Sequence, residues 1–165
     1  MGDGARLFLA GAVAAFLKAY NEKDVIYIDC GSRFNLGEFG LVGLSAGEAK
    51  YRVKVASPAN YADLEDLLVF EVPRHLEKGN YGLLAVEGLD SILVGIPEER
   101  ARAKFAEHLV DWVRRLSVTY DVWAFVTLSL DKPYLPGRLV RANRSTTGLL
   151  IEIEGSRREV RLPEL

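Results

Sequence analysis

Three apolar runs, Asp24–Asp29, Tyr81–Val86 and Val122–Leu130, each follow a segment with helical character, and nothing else in the chain restricts its fold so tightly. A strand that is apolar on both faces needs cover on both faces, which is the situation of parallel strands in α/β proteins. Parallel neighbours require crossover connections, and the intervening helical segments supply them. The pattern therefore predicts an α/β domain with a mainly parallel central sheet flanked by helices.

The remaining elements fit around these runs. Leu7–Tyr20 is Ala- and Leu-rich without proline and reads as a buried helix. A Gly-rich stretch from Gly31 to Gly47 has room for a short helix at Leu36–Val42. Lys50–Val55 alternates Tyr51, Val53 and Val55 with Arg52 and Lys54, the period of a half-exposed strand. Ser57-Pro58 has the form of a helix start, with serine as cap and proline in the first turn. The helix Tyr61–Lys78 carries Leu64, Leu67, Leu68 and Val72 on one stripe, is kinked at Pro73, and stops at Gly79-Asn80. Pro97-Glu98-Glu99 opens a long helix with Phe105, Leu109, Trp112 and Leu116 at helical spacing. The last third changes character: Arg138–Ala142, Leu149–Glu154 and Arg157–Leu162 read as short strands, the last two joined at Gly155-Ser156. They predict an antiparallel C-terminal extension at one edge of the sheet.

Composition narrows the class without supplying a function. At 165 residues, 49% of them hydrophobic, the chain has the size and apolar content of one domain, residues 1–165, with its own core. A net charge of −2 gives no global cationic field for nucleic acid or anionic membrane. One cysteine excludes a disulfide framework, and two histidines cannot build a histidine-rich metal centre. The apolar runs are too short to cross a bilayer, and the stretch after Arg6 lacks a signal-peptide cleavage pattern, so a cytoplasmic protein is expected. Glutamine is absent while Arg, Lys and Glu are plentiful, a thermophile's balance.

The order of the elements and several strings resemble the core of the RecA/RadA-type recombinases, in the archaeal RadA paralogue branch, with the KaiC-like ATPases behind it. Gly4-Ala5-Arg6-Leu7-Phe8-Leu9-Ala10 sits where that family ends its phosphate loop and begins the following helix. Val25-Ile26-Tyr27-Ile28-Asp29 with Phe34 is similar to the second strand and its trailing aromatic. Tyr81 to Ile92, through Glu87-Gly88-Leu89-Asp90-Ser91, resembles the Walker B strand and its sequel. Leu109–Tyr120 and Val122–Leu130 match the approach to the sensor strand, and Arg138 to Leu162 is similar to the closing hairpin. The resemblance spans nearly the whole chain and implies a RecA-like three-layer fold.

It also marks where the chemistry departs. Nucleotide hydrolysis by a phosphate loop needs a lysine across the outer phosphates and a hydroxyl on Mg²⁺. Ala5 stands at the lysine position and Arg6 at the hydroxyl position, behind only Met1 to Gly4. The Walker B aspartate aligns with Glu87, the water-activating glutamate with Gly31, and the sensor pair with Leu128-Ser129. Asp29 ends the second strand beside this degenerate nucleotide site. The expected consequence is a pseudo-ATPase without a cofactor, the alternative being a working enzyme that binds ATP and Mg. The plain reading of Asp29, Glu87 and Asp90 is polar residues at strand ends, where the carboxyl edge of such a sheet carries loops.

Other signals carry less. Gly43-Leu44-Ser45-Ala46-Gly47 has the nucleophile-elbow form, but no strand precedes it, and Ser45 with Glu48 makes a local cap instead. His75 and His108 read as solvent-facing and Cys30 as a structural thiol. Phe16-Leu17-Lys18-Ala19 repeats the F-x-x-A docking pattern of recombinases, but mid-helix, where Phe16 belongs to a core. Arg138, Arg141, Arg144, Arg157, Arg158 and Arg161 form a candidate basic strip for phosphate backbones, against the plainer role of keeping edge strands soluble. In the family the phosphate-loop strand is interior to the sheet, so its loss predicts a gap closed by the C-terminal strands or by another chain. The expected function is a non-catalytic accessory or interaction module in DNA recombination and repair, with a recombinase or another RecA-like paralogue as partner. A homodimer or hetero-oligomer is expected with it, along with weak DNA contact and no membrane. A structural subunit of another assembly remains an alternative.

Overall fold

The computed structural model describes residues 3–127, with side chains from Leu7, and beyond these the backbone of two short strands. Helix α1 (Asp3–Ala19) leads into strand β1 (Asp24–Asp29). Helices α2 (Leu36–Leu41) and α3 (Ala46–Arg52) precede β2 (Val53–Ala56). Helix α4 (Tyr61–Asp66) continues through a π turn (Leu67–Glu71) into α5 (Val72–Lys78) and then β3 (Tyr81–Glu87). Helices α6 (Leu89–Leu93) and α7 (Glu99–Tyr120) lead to β4 (Trp123–Val126). The sheet order is β2-β1-β3-β4, and every pairing is parallel, as the apolar runs require.

Strand alternation divides the core in two. Ile26, Ile28, Leu84 and Val86 pack against α4, the π turn, α5, α6 and α7 through Leu64, Leu68, Leu76, Leu93, Leu109 and Val113. Val25, Tyr27, Leu83 and Ala85 face α1, α2 and α3 through Leu9, Val13, Leu17, Phe39 and Ala49. The result is a three-layer arrangement with each interior strand covered on both sides. Phe16 belongs to the second core, and Gly82 makes room for it: a Cβ there would lie 2.8 Å from the Phe16 ring.

Two sequence expectations need correction. Lys50–Arg52 closes helix α3 and only Val53–Ala56 is strand, because the capping box of Ser45 and Glu48 starts a helix that overrides the apparent alternation. Tyr51, which the alternation pointed inward, is 85% exposed. The cap of α4 is Asn60 rather than Ser57: its Oδ1 accepts the amides of Ala62 and Asp63 at 2.9 and 3.1 Å. Pro73 is accommodated by the π turn before it, where Val72 N–H reaches back five residues to Leu67 O. Proline has no amide and crowds the preceding turn, and the wider π turn relieves both demands.

No gap separates the described strands, since β1 and β3 each have both edges paired; the free edges among them belong to β2 and β4. The expected closing of a gap by the C-terminal strands or by another chain falls outside the described residues. Of the C-terminal strands, β5 (Glu152–Ile153) and β6 (Val160–Arg161) pair antiparallel in a two-stranded ladder. The expected strand Arg138–Ala142 and the Gly155-Ser156 turn lie outside the described residues. Among those described, no helix is long and apolar enough to cross a membrane.

Candidate functional site

A short turn, Tyr20–Lys23, joins α1 to β1, so the helix runs back across the sheet and its first turn stands at the carboxyl ends of the strands. Gly4, Ala5 and Arg6 occupy that first turn. Asp29 and Glu87 end β1 and β3 at the same edge and are register partners, with Tyr27 two residues before Asp29 and on its face of the strand. Sequence spacing thus predicted the edge correctly, and the sheet brings together acids 58 positions apart.

Both acids are buried, Asp29 at 1% exposure and Glu87 at 6%, and both are held. Asp29 Oδ1 accepts the Gly31 amide at 3.0 Å and Oδ2 the Phe34 amide at 2.6 Å. The carboxylate thereby fixes the turn after β1, in which Ser32 takes a left-handed φ of 51°. Gly31, at the position of the expected water-activating acid, contributes its backbone N–H to this turn. Glu87 Oε2 accepts the Tyr27 hydroxyl at 2.6 Å. The Tyr27 phenol is pushed far above its usual range, first by burial, then by its bond to Glu87 and by the charges of Glu87, Asp29 and Glu38. It stays a neutral donor.

The strand ends are tied together behind these acids. Cys30 N–H donates to Glu87 O at 3.0 Å, and Thr127 N–H to Val86 O at 2.9 Å. Thr127 in turn accepts the Gly88 amide on its hydroxyl at 2.9 Å and the Leu89 amide on its carbonyl at 3.2 Å. Gly88, at φ 64°, allows the sharp exit from β3 into α6. Asp90 lies in α6 at 4% exposure. Cys30 faces the other core, and burial, with the charges of Asp29, Asp90 and Glu87, pushes its thiol up to about 12. A thiol so protonated is a packing group rather than a nucleophile.

Sequence reasoning missed Tyr27 and Thr127. Tyr27 left a readable signal, a hydroxyl-tipped aromatic two residues before an acid in a buried strand. Thr127 left none, since its role depends on β4 lying beside β3. Ser45 is confirmed as a cap: its hydroxyl donates to Glu48 Oε2 at 2.7 Å and accepts the Glu48 amide at 3.2 Å. Helix α2 precedes Gly43–Gly47, so the nucleophile-elbow form lacks its strand, as the sequence indicated. His108 is exposed and His75 is half-buried. Ser129 and the arginines 138, 141, 144, 157 and 158 lie outside the described residues. The backbone of Arg161 is opposite Glu152 in the β5–β6 ladder. Among the described residues no group of three or more His, Cys, Asp or Glu side chains is arranged to hold a metal. Compared with known families and with curated proteins, the chain matches no family model and no curated relative.

Proposed function

We propose that the chain is a non-catalytic relative of the RecA/RadA-type core, acting in the cytoplasm as an accessory module of DNA recombination and repair through contacts with other macromolecules. The α/β organisation supports this reading in general terms, with a parallel sheet, acids at adjacent strand ends and a helix N-terminus at the same edge. One observation carries the non-catalytic part: the Asp29 carboxylate and the Glu87 carboxylate hold the turn after β1 and the Tyr27 hydroxyl. A metal-bound nucleotide needs acids whose lone pairs face the ligand, and water activation needs a base within reach of the water.

Magnesium and ATP fit this set of side chains poorly. Alanine and arginine stand where a lysine and a hydroxyl would be needed, and removing one positioned element of such a site already costs several kcal/mol of transition-state stabilisation. The function left to the scaffold is binding, with a recombinase or paralogue as the proposed partner and phosphate-backbone contact by the C-terminal arginines as a secondary role.

Thermal unfolding with and without Mg-ATP tests the reading. A ligand at about 100 times its dissociation constant adds about 2.7 kcal/mol, a shift that is easily read. The proposal expects no shift and no phosphate release; a shift accompanied by turnover refutes it in favour of the ATPase. Co-elution with a purified recombinase from the same organism is the positive arm, and the two proteins migrating separately at micromolar concentration would sink the partner assignment.

A further inference from the structure

His75 lies on the helical segment α4–π–α5 and His108 contacts it from α7, and their hydrogen bonds answer to protonation in opposite senses. On one side, the Lys54 ammonium of β2 lies 3.3 Å from Nδ1 of His75 on α5. An ammonium only donates, so Nδ1 must be the acceptor and His75 neutral. On the other side, Nε2 of His108 on α7 lies 2.9 Å from the Trp112 indole nitrogen and 3.3 Å from Glu65 Oε1 on α4. The indole only donates and the carboxylate only accepts, so Nε2 serves one of them at a time. Neutral His108 with its proton on Nδ1 accepts the Trp112 indole N–H at Nε2; doubly protonated His108 donates Nε2–H to Glu65 and leaves the indole without that acceptor.

We infer that this segment is a pH-responsive element, tied to the edge strand β2 through Lys54 and His75 near neutral pH and to α7 through Glu65 and His108 on acidification. Histidine is the side chain whose ordinary titration falls in this interval. One turn to either side of His75 in the sequence stand Glu71, which pairs with Arg74 at 3.4 Å, and Lys78, and the Tyr81 ring at the start of β3 is 6.3 Å away. Around His108 they are Lys104 and Asp111 on its own helix, the latter held by Arg114 and Arg115 at 2.7 Å each. Glu65 is the acid that reaches His108 from another element.

Two double-mutant cycles, Lys54→Met with His75→Ala and Glu65→Gln with His108→Ala, test this by urea unfolding at about pH 8 and about pH 5.5. Each coupling corresponds to roughly 1.5- to 5-fold in the unfolding constant, the scale of an exposed pair. The first coupling is expected at the higher pH only and the second at the lower pH only. A second readout uses Trp112 emission in a Trp123→Phe background: it changes across this interval, and His108→Ala abolishes the change. Couplings that are absent, independent of pH or alike in sense overturn the inference, as does agreement of one cycle alone or a flat Trp112 titration.

Discussion

Replacing Asp29 with asparagine keeps the shape of the side chain and removes its charge, which separates a structural acid from a functional one. The native carboxylate accepts two main-chain amides, at 3.0 and 2.6 Å, from a site 1% exposed. Asparagine can offer its oxygen to one of them, and its NH₂ then faces the other, donor against donor. A hydrogen bond to a charged group contributes about 1.5–3 kcal/mol and an unsatisfied buried donor costs about 1–3. Relief from burying a charge offsets part of this. The net expected loss is about 3 kcal/mol, or roughly 6–12 °C in Tm for a chain of this size. Urea unfolding followed by circular dichroism should show a lower midpoint at unchanged slope. An acid retained for chemistry behaves otherwise, since neutralising it leaves stability level or raises it. A D29N midpoint within about 0.5 kcal/mol of the parent would refute the structural role assigned to this carboxylate.

Further perturbations follow the same logic. Arg52 donates Nη1 to Leu17 O at 3.0 Å and Nη2 to Tyr20 O at 2.8 Å and to Lys23 O, closing the C-terminus of α1 beside Asp24. Arg52→Ala should lose about 2–3 kcal/mol and Arg52→Lys somewhat less, since an ammonium cannot span the same carbonyls; equal stability of all three proteins in urea would contradict the clamp. Stability should fall in alkali. Folding raises the Cys30 thiol to about 12, so its contribution is complete below the ordinary thiol value near ~8.5 and is lost as pH climbs towards 12. The Tyr27 phenol, also raised, adds to the fall above about pH 10. Midpoints between pH 7 and 11 should therefore decline, and less steeply in Cys30→Ala; a thiol reagent that labels the native protein rapidly at pH 8 would refute the burial argument. Ser45→Ala should cost about 1 kcal/mol by unfolding α3 at its first turn, and a serine-directed probe that labels Ser45 would contradict its role as a cap.

Much of the framework was legible one element at a time. The runs of β1 and β3 and the helical stripes of α1 and α7 stand where the sequence indicated, because burial on both faces or on one stripe leaves a pattern that local context rarely disturbs. Lys50–Arg52 misled for the converse reason: an exposed tyrosine and two basic residues mimic alternation, and a capping box upstream outweighs it. Ser57-Pro58 misled at the start of α4, where Asn60 three residues on supplies the cap, and that choice turns on how the chain leaves β2.

The acids at the carboxyl edge show where sequence information stops. That Asp29 and Glu87 end strands could be read from the chain, as could the presence of a tyrosine two places before one of them. Which face each presents, and that the hydroxyl of Tyr27 meets Glu87 at 2.6 Å, depended on the register between strands separated by the whole α2–α5 region. Apolar patterning specifies that a strand is buried without naming its neighbour. Pairing, strand order and the partners of buried polar groups are fixed together, by the packing that satisfies all of them at once.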